Sequence, residues 1–415
     1  MGSPAKLNSD VAERYVKLVL ALGEHDSDYV DSYYGPPEWR AEAKGKSLDD
    51  IRRDALSVIP SVSEGPGGVG GAPPAPPGPS LTLGVTPRAQ YLRRQLESLL
   101  ARIDILEGKK LTFDQESKAL YDAVAPHHSE AHFRALLNDL DAALPGAGEV
   151  AGRYEAYRQE FVIPREKLDA VFQHAIAGCR ARTQERMALP PGESFTVEYV
   201  TNKSWSGYNW YQGGYRSLIQ VNTDLPIFID RAIDLACHEG YPGHHVYNAL
   251  LEKTLVRDRG WIEFSVYALF SPQSLIAEGS ANYGIDVAFP ASERVAYEQR
   301  ELFPIAGIDG ARAGQYYAIH ELASKLAYAG NEAARGYLDG AMTADGAVEW
   351  LVTYALMSPE RARQRVRFFD QYRSYVINYN LGKDLVRDYV ERQGGDRWAV
   401  FADLLSSPRL PSALG

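Results

Sequence analysis

Three of the nine histidines in this chain, His238, His244 and His245, fall within eight residues, and Glu239 directly follows the first of them. Imidazoles gathered beside a carboxylate are the donor set of zinc and related divalent metal sites. In a His-Glu-x-x-His segment the two rings lie one helical turn apart on one face, and the glutamate is left free as a general base. Here the second histidine comes two or three residues late. At about 100° per residue, an unbroken helix would turn His244 roughly 240° away from His238. The segment His238-Glu239-Gly240-Tyr241-Pro242-Gly243-His244-His245 carries its own remedy. Pro242 has no N–H for the His238 carbonyl, Tyr241 before it is biased toward extended backbone, and two glycines permit a tight bend. Spacing and breaker residues together predict a helix interrupted between two ligands that face one ion.

Two imidazoles do not complete a zinc site, which takes three protein ligands and keeps one position open. Glu278, in Ala277-Glu278-Gly279-Ser280-Ala281-Asn282-Tyr283, is the expected third ligand. An unpaired carboxylate in so small and apolar a helix would be costly to bury. The metal set is therefore His238, Glu278 and either His244 or His245, with Glu239 as catalytic base. Asp234, one turn before His238, is placed to accept its second ring N–H. Zinc is the expected metal, although two histidines and a carboxylate also suit iron(II) or another divalent ion.

His-Glu-x-x-Pro-Gly-His-His followed by a later Glu-Gly resembles the signature of the bacterial domain of unknown function 885 family over most of the chain, up to the Tyr379 region. That family is similar to helical gluzincin metallopeptidases of the carboxypeptidase Taq and thimet oligopeptidase type. The resemblance implies a large helical metallopeptidase-like architecture, and it favours His244 over His245 as second ligand. The family's Glu-Gly-Trp-Ala-Leu-Tyr appears here as Glu278-Gly279-Ser280-Ala281-Asn282-Tyr283, which leaves the ligand in place and alters the pocket wall. A second signature region is similar to Phe368–Gly382, where the chain keeps Tyr379-Asn380-Leu381-Gly382 but lacks a Pro-Gly-Gln. By that resemblance Tyr379 donates to the oxyanion and Arg373 receives a substrate carboxylate. Tyr316, Tyr317 and His320 on one helix, and Tyr208, Trp210 and Tyr211 in a Gly-flanked loop, are further candidates to line the cleft.

The elements that must position these groups are mostly helical. Apolar residues recur at helical spacing over residues 10–22, where Val11, Tyr15, Leu18, Val19 and Leu22 share a face, and over 88–107. Similar patterns predict helices over 114–124, 132–144, 164–187, 225–239, 244–255, 272–287, 311–329, 347–357 and 359–379. The β-like region is 194–224, read as a small hairpin turning at Gly213-Gly214 before the motif helix, with residues 216–223 a candidate edge for an extended peptide. Residues 61–86 collapse to Gly, Pro, Ala and Ser and read as a disordered insertion. It divides an N-terminal helical region, residues 1–160, which precedes a catalytic helical region, residues 161–415.

Composition narrows the function classes. With 45% hydrophobic and 24% charged residues the 415-residue chain is of ordinary globular type. A formal net charge of −10 and the lack of a basic block argue against nucleic acid. No apolar run reaches the roughly 20 residues of a membrane span, and the polar start lacks a secretory pattern. Two cysteines, Cys179 and Cys237, are too few for a disulfide framework. The expectation is a cytoplasmic metallohydrolase, a zinc peptidase or amidase acting on peptides or amino-acid conjugates, with no membrane partner and an open oligomeric state. A non-heme iron enzyme and a non-catalytic helical binding protein are the alternatives, and Glu239 favours hydrolysis because oxygen chemistry needs no base there.

Overall fold

Apolar repeats at helical spacing fold as helices that each bury one face. Pro87–Leu106 begins behind Thr86, whose side chain accepts the Ala89 N–H, and it buries Leu92, Leu96, Leu99 and Ile103. In Pro4–Gly23 the same logic buries Val11, Tyr15, Leu18, Val19 and Leu22. The structure, a computed structural model, describes residues 4–63 and 86–415. The fold is mainly α with a small sheet. Most of the Gly/Pro-rich stretch expected to be disordered lies outside the described residues; its first residues continue the helix Leu48–Ser63. Among the described residues no helix is long and apolar enough to cross a membrane.

Several expected elements are divided. The stretch 359–379 is two helices, Pro359–Tyr372 and Ile377–Gln393, because Arg373 takes a left-handed φ of 52° and a short 3-10 turn, Arg373–Val376, redirects the chain. The stretch 311–329 likewise separates into Ala313–Ser324 and Ala329–Leu338. In 225–239 only Asp230–Leu235 is α-helical before the turn widens.

The β region holds three strands, β2 (Ser194–Val200), β3 (Gly207–Gly213) and β4 (Arg216–Asn222), in the order β2-β4-β3. The Gly213-Gly214 turn joins β4 to β3, with Tyr208 opposite Gln220, while β2 runs parallel to β4 with Ser194 opposite Arg216. The hairpin partner of β4 is thus the aromatic segment 207–213. A turn this tight, with positive φ at Gly213, Gly214 and Tyr215, connects neighbours in sequence. β4 is central, so it offers no free edge to a peptide. A second, two-stranded sheet pairs β1 (Val30–Tyr33) with β5 (Val266–Ala268) antiparallel.

That second sheet ties the N-terminal region to the motif region, and other contacts reinforce it. Arg88 grips the fully buried Glu263 with two hydrogen bonds of 2.5 and 2.8 Å, and Tyr91 donates to Gln273 at 2.8 Å. One continuous apolar core runs through both regions.

Candidate metal centre

The motif folds as its breakers require. After Asp230–Leu235 the backbone widens into a π turn over Ala236–Gly240, Tyr241 is extended, the Tyr241–Pro242 peptide is cis, and a new helix, His244–Leu251, begins. A Cβ on Gly243 would overlap the His238 carbonyl, so only glycine lets the chain fold back this closely. The return brings His238 Nε2 and His244 Nε2 to 3.1 Å, with the rings nearly perpendicular.

Glu278, on the helix Pro272–Ala288, closes the triangle. Its Oε2 is 3.2 Å from His238 Nε2 and 3.6 Å from His244 Nε2. Donors about 2.1 Å from a tetrahedral ion stand about 3.4 Å from one another, which these edges match. The other carboxylate oxygen accepts the Tyr375 hydroxyl at 2.8 Å, whereas Oε2 is buried without a hydrogen bond among the described residues. A buried carboxylate oxygen facing two imidazole nitrogens calls for a positive charge between them, which either a proton on one ring or a bound cation supplies. The residues present therefore fit a divalent ion.

The neighbours of the triangle fix its rings. His238 Nδ1 lies 3.2 Å from Asn282 Oδ1, and the same amide donates to the Tyr379 carbonyl at 3.3 Å. This leaves Nε2 free to ligate. Asp234, expected in that role, instead pairs with Arg231 at 3.1 Å and Arg294 at 2.9 Å. His245 points away from the triangle: its Nε2 meets Glu193 at 3.0 Å and its Nδ1 meets Ser217 Oγ at 2.9 Å, both buried. With both nitrogens engaged it braces β4 against the motif helix. His245→Ala is therefore expected to keep stoichiometric metal and lower the melting temperature, and His244→Ala to empty the site; metal analysis of both variants checks this, and the reverse pattern would overturn the assignment.

Burial alone would raise the Glu278 carboxyl, but His244 and His238 beside it hold it well below the usual carboxylate range. Burial likewise works against a charge on His244, yet Glu278, with Glu239 and Asp31, pushes it up to about 9. In the metal-free protein His244 thus keeps its proton below about pH 9, and it must lose that proton to ligate. Metal binding at pH 7 is expected to release about one proton, and apparent affinity to fall about tenfold per pH unit below that value. Calorimetry in buffers of different ionisation enthalpy measures the proton count, and release of none would contradict it.

Beside the triangle is a cavity of about 310 Å³. Glu239, buried on its wall, has its carboxyl raised by burial against the pull of His238 and His244. Gly207 on β3 makes the room: a Cβ there would stand 2.7 Å from Glu239 Oε1. Tyr379 also lines the cavity. Asp31 on β1 reaches the same wall, accepting the Tyr208 hydroxyl, and burial raises it to about 6.

Other expected residues lie elsewhere. Arg373 does not line the cavity; it donates to the buried Glu116 at 2.7 Å, and Glu116 also holds the Ser374 N–H and hydroxyl. The left-handed turn at Arg373 rotates it off the face that carries Tyr379, so its place is that of a clamp on the break between two helices. Tyr316 and Tyr317 donate to Asp230 and Glu298, and His320 sits 3.4 Å from Asp230, all outside the cavity. Of the aromatic trio only Tyr208 lines it; Trp210 is exposed and Tyr211 donates to Glu252 at 2.6 Å. Cys237 and Cys179 are buried free thiols 2.8 Å apart. Sequence reasoning missed Tyr375, which is one of 26 tyrosines, and it read Asn282 only as a departure in the pocket wall. The signal for Asn282 was its position four residues after Glu278, on the same helix face.

No family model matches the chain, and no curated protein matches it. Among solved structures it is similar to a "putative lipoprotein" from Colwellia psychrerythraea, with a TM-score of 0.51 and 17% identity over 89% of this chain. The chain spans 63% of the length of that protein. A "putative lipoprotein of unknown function" from Shewanella oneidensis gives a TM-score of 0.49 at 13% identity, covering 91% of this chain and 75% of the other. At such identities the first likeness is one of fold alone.

Proposed function

We propose that this protein is a metal-dependent hydrolase, a zinc peptidase or amidase that cleaves peptides or amino-acid conjugates. The observation that carries the reading is the triangle of His238, His244 and Glu278 with a separate buried carboxylate, Glu239, on the wall of the adjoining cavity. His238, His244 and Glu278 would hold a divalent ion, which would supply Lewis acidity toward a water and the scissile carbonyl. Glu239, its carboxyl raised by burial, accepts the proton of the attacking water and returns it to the leaving amine. The Tyr379 hydroxyl donates to the developing oxyanion, and Tyr375 orients Glu278 through the 2.8 Å hydrogen bond.

The same two histidines and carboxylate would suit iron(II), and a base at Glu239 is what favours hydrolysis over oxygen chemistry. The test is the zinc-loaded protein incubated with a peptide library and read by mass spectrometry, alongside metal analysis of protein purified without added metal. Cleavage that disappears on chelation and in Glu239→Gln supports the reading. Iron as the bound metal with no cleavage of any library member would overturn it.

A further inference from the structure

The helix Pro359–Tyr372 turns one face to the cavity, presenting Arg361, Arg365, Phe368 and Tyr372 at intervals of four, three and four residues. The two arginines stand one turn apart, and neither side chain has an ion-pair or hydrogen-bond partner among the described residues. The Arg365 guanidinium lies over the Phe368 ring, 5.1 Å from its centroid. The contrast with the third cavity arginine is clear, since Arg231 pairs with Asp234 at 3.1 Å. Burial, followed by the charges of Arg231, Arg158 and Arg365, pushes Arg361 down to about 10, and burial also lowers Arg365. Like charges at this helical spacing repel one another, and sheltering them from water adds to the cost.

The carboxylates on the cavity wall are already committed. Asp31 accepts from Tyr208, Asp234 holds Arg231 and Arg294, and Glu278 faces the two histidines. Glu239 is the base of the proposed reaction. Glu155 attracts Arg361 from outside this cavity without forming an ion pair, so a counter-charge inside the cavity would come with a ligand. Two guanidinium forks, one of them over the Phe368 ring, match a planar carboxylate, and among the described residues no lysine lines the cavity.

We infer that Arg361 and Arg365 form a cationic subsite of the cavity that recognises a carboxylate of the substrate. The inference rests on the hydrolase reading and names its substrate class, which is acidic peptides or acyl amino acids. The carboxylate is either a free C-terminus or an acidic side chain, and both sources present the same group to the arginines.

Binding is measured without turnover, by calorimetry on zinc-loaded Glu239→Gln protein, so that a failure here is separate from a failure of hydrolysis. The probes are N-acetyl-dialanine, its C-terminal amide, and N-acetyl-glutamyl-alanine amide. The acid is expected to bind about tenfold or more tighter than its amide, as for loss of a charge-assisted hydrogen bond. If the amidated glutamyl probe matches the acid, a side-chain carboxylate serves as well; if it binds like the neutral amide, the C-terminus is the source. Adding R361M and R365M together should abolish the preference with little change in melting temperature, because no native ion pair is lost. R365K, which keeps the charge without the fork, should retain part of it. Equal binding of acid and amide, no detectable binding of either acid at millimolar concentration, a preference that survives R361M/R365M, or tighter binding of inorganic phosphate than of both acids would each overturn the inference. Hydrolysis without a carboxylate preference would refute the subsite alone, and a preference without hydrolysis would refute the hydrolase reading alone.

Discussion

Glu239→Gln is expected to lower turnover by about 10²–10⁴-fold, the usual loss when a general base is removed, while metal content stays stoichiometric. The expectation follows from the division of labour in the centre. His238, His244 and Glu278 supply three donors within 4.8 Å of one another, and Glu239 stands outside that group on the cavity wall. Glutamine keeps the size and most of the hydrogen bonding but cannot take a proton. Stability should not suffer. Burial raises the Glu239 carboxyl in the folded protein, so its ionised form is disfavoured by folding, and a neutral amide removes that penalty. Steady-state kinetics, metal analysis and a melting curve on one preparation check all three statements. Near wild-type turnover with full metal would sink the hydrolytic mechanism, and loss of the metal would show Glu239 to be a ligand.

The broken motif was legible because its causes are local: Pro242 and Gly243 act on the backbone where they stand. Glu278 was legible for a related reason, since a carboxylate within a small, apolar helix needs a partner wherever that helix packs. The choice between His244 and His245 was not local. It depends on Glu193 and Ser217, which lie 52 and 28 residues away and occupy both nitrogens of His245. Arg373 shows the opposite failure. Its nearness in sequence to Tyr379 suggested a shared face, and one residue in a left-handed conformation separated them. Arg361 and Arg365 were hidden by arginines at 363 and 367, which point elsewhere on the same helix and are exposed. The strand order was equally non-local, because β2 finds its parallel partner only after β3 has intervened.

The second large effect is expected at Gly279, the residue after the Glu278 ligand. The helix Pro272–Ala288 meets Ile377–Gln393 with backbone against backbone, Gly279 facing Gly382. A Cβ on Gly279 would overlap the Gly382 carbonyl, whereas one on Gly382 would stand 2.8 Å from the Leu275 carbonyl oxygen and 3.0 Å from the Gly279 Cα. This pair of glycines is what lets the Glu278 helix approach the segment bearing Tyr375 and Tyr379. In an isolated helix, Gly→Ala stabilises by about 1 kcal/mol. Here the clash falls on main-chain atoms that cannot swing aside, so Gly279→Ala should instead destabilise by about 1–3 kcal/mol as the helices separate, with a smaller loss for Gly382→Ala. Separation draws Glu278 away from Tyr375, and a displacement of about 1 Å at a reacting centre costs on the order of 10²-fold in rate. Denaturant unfolding, metal affinity and turnover of the two variants test the chain of cause: Gly279→Ala should lose all three together. A Gly279→Ala protein that is more stable than wild type, as helix propensity alone would make it, would show that the close contact between these helices does not position the metal centre.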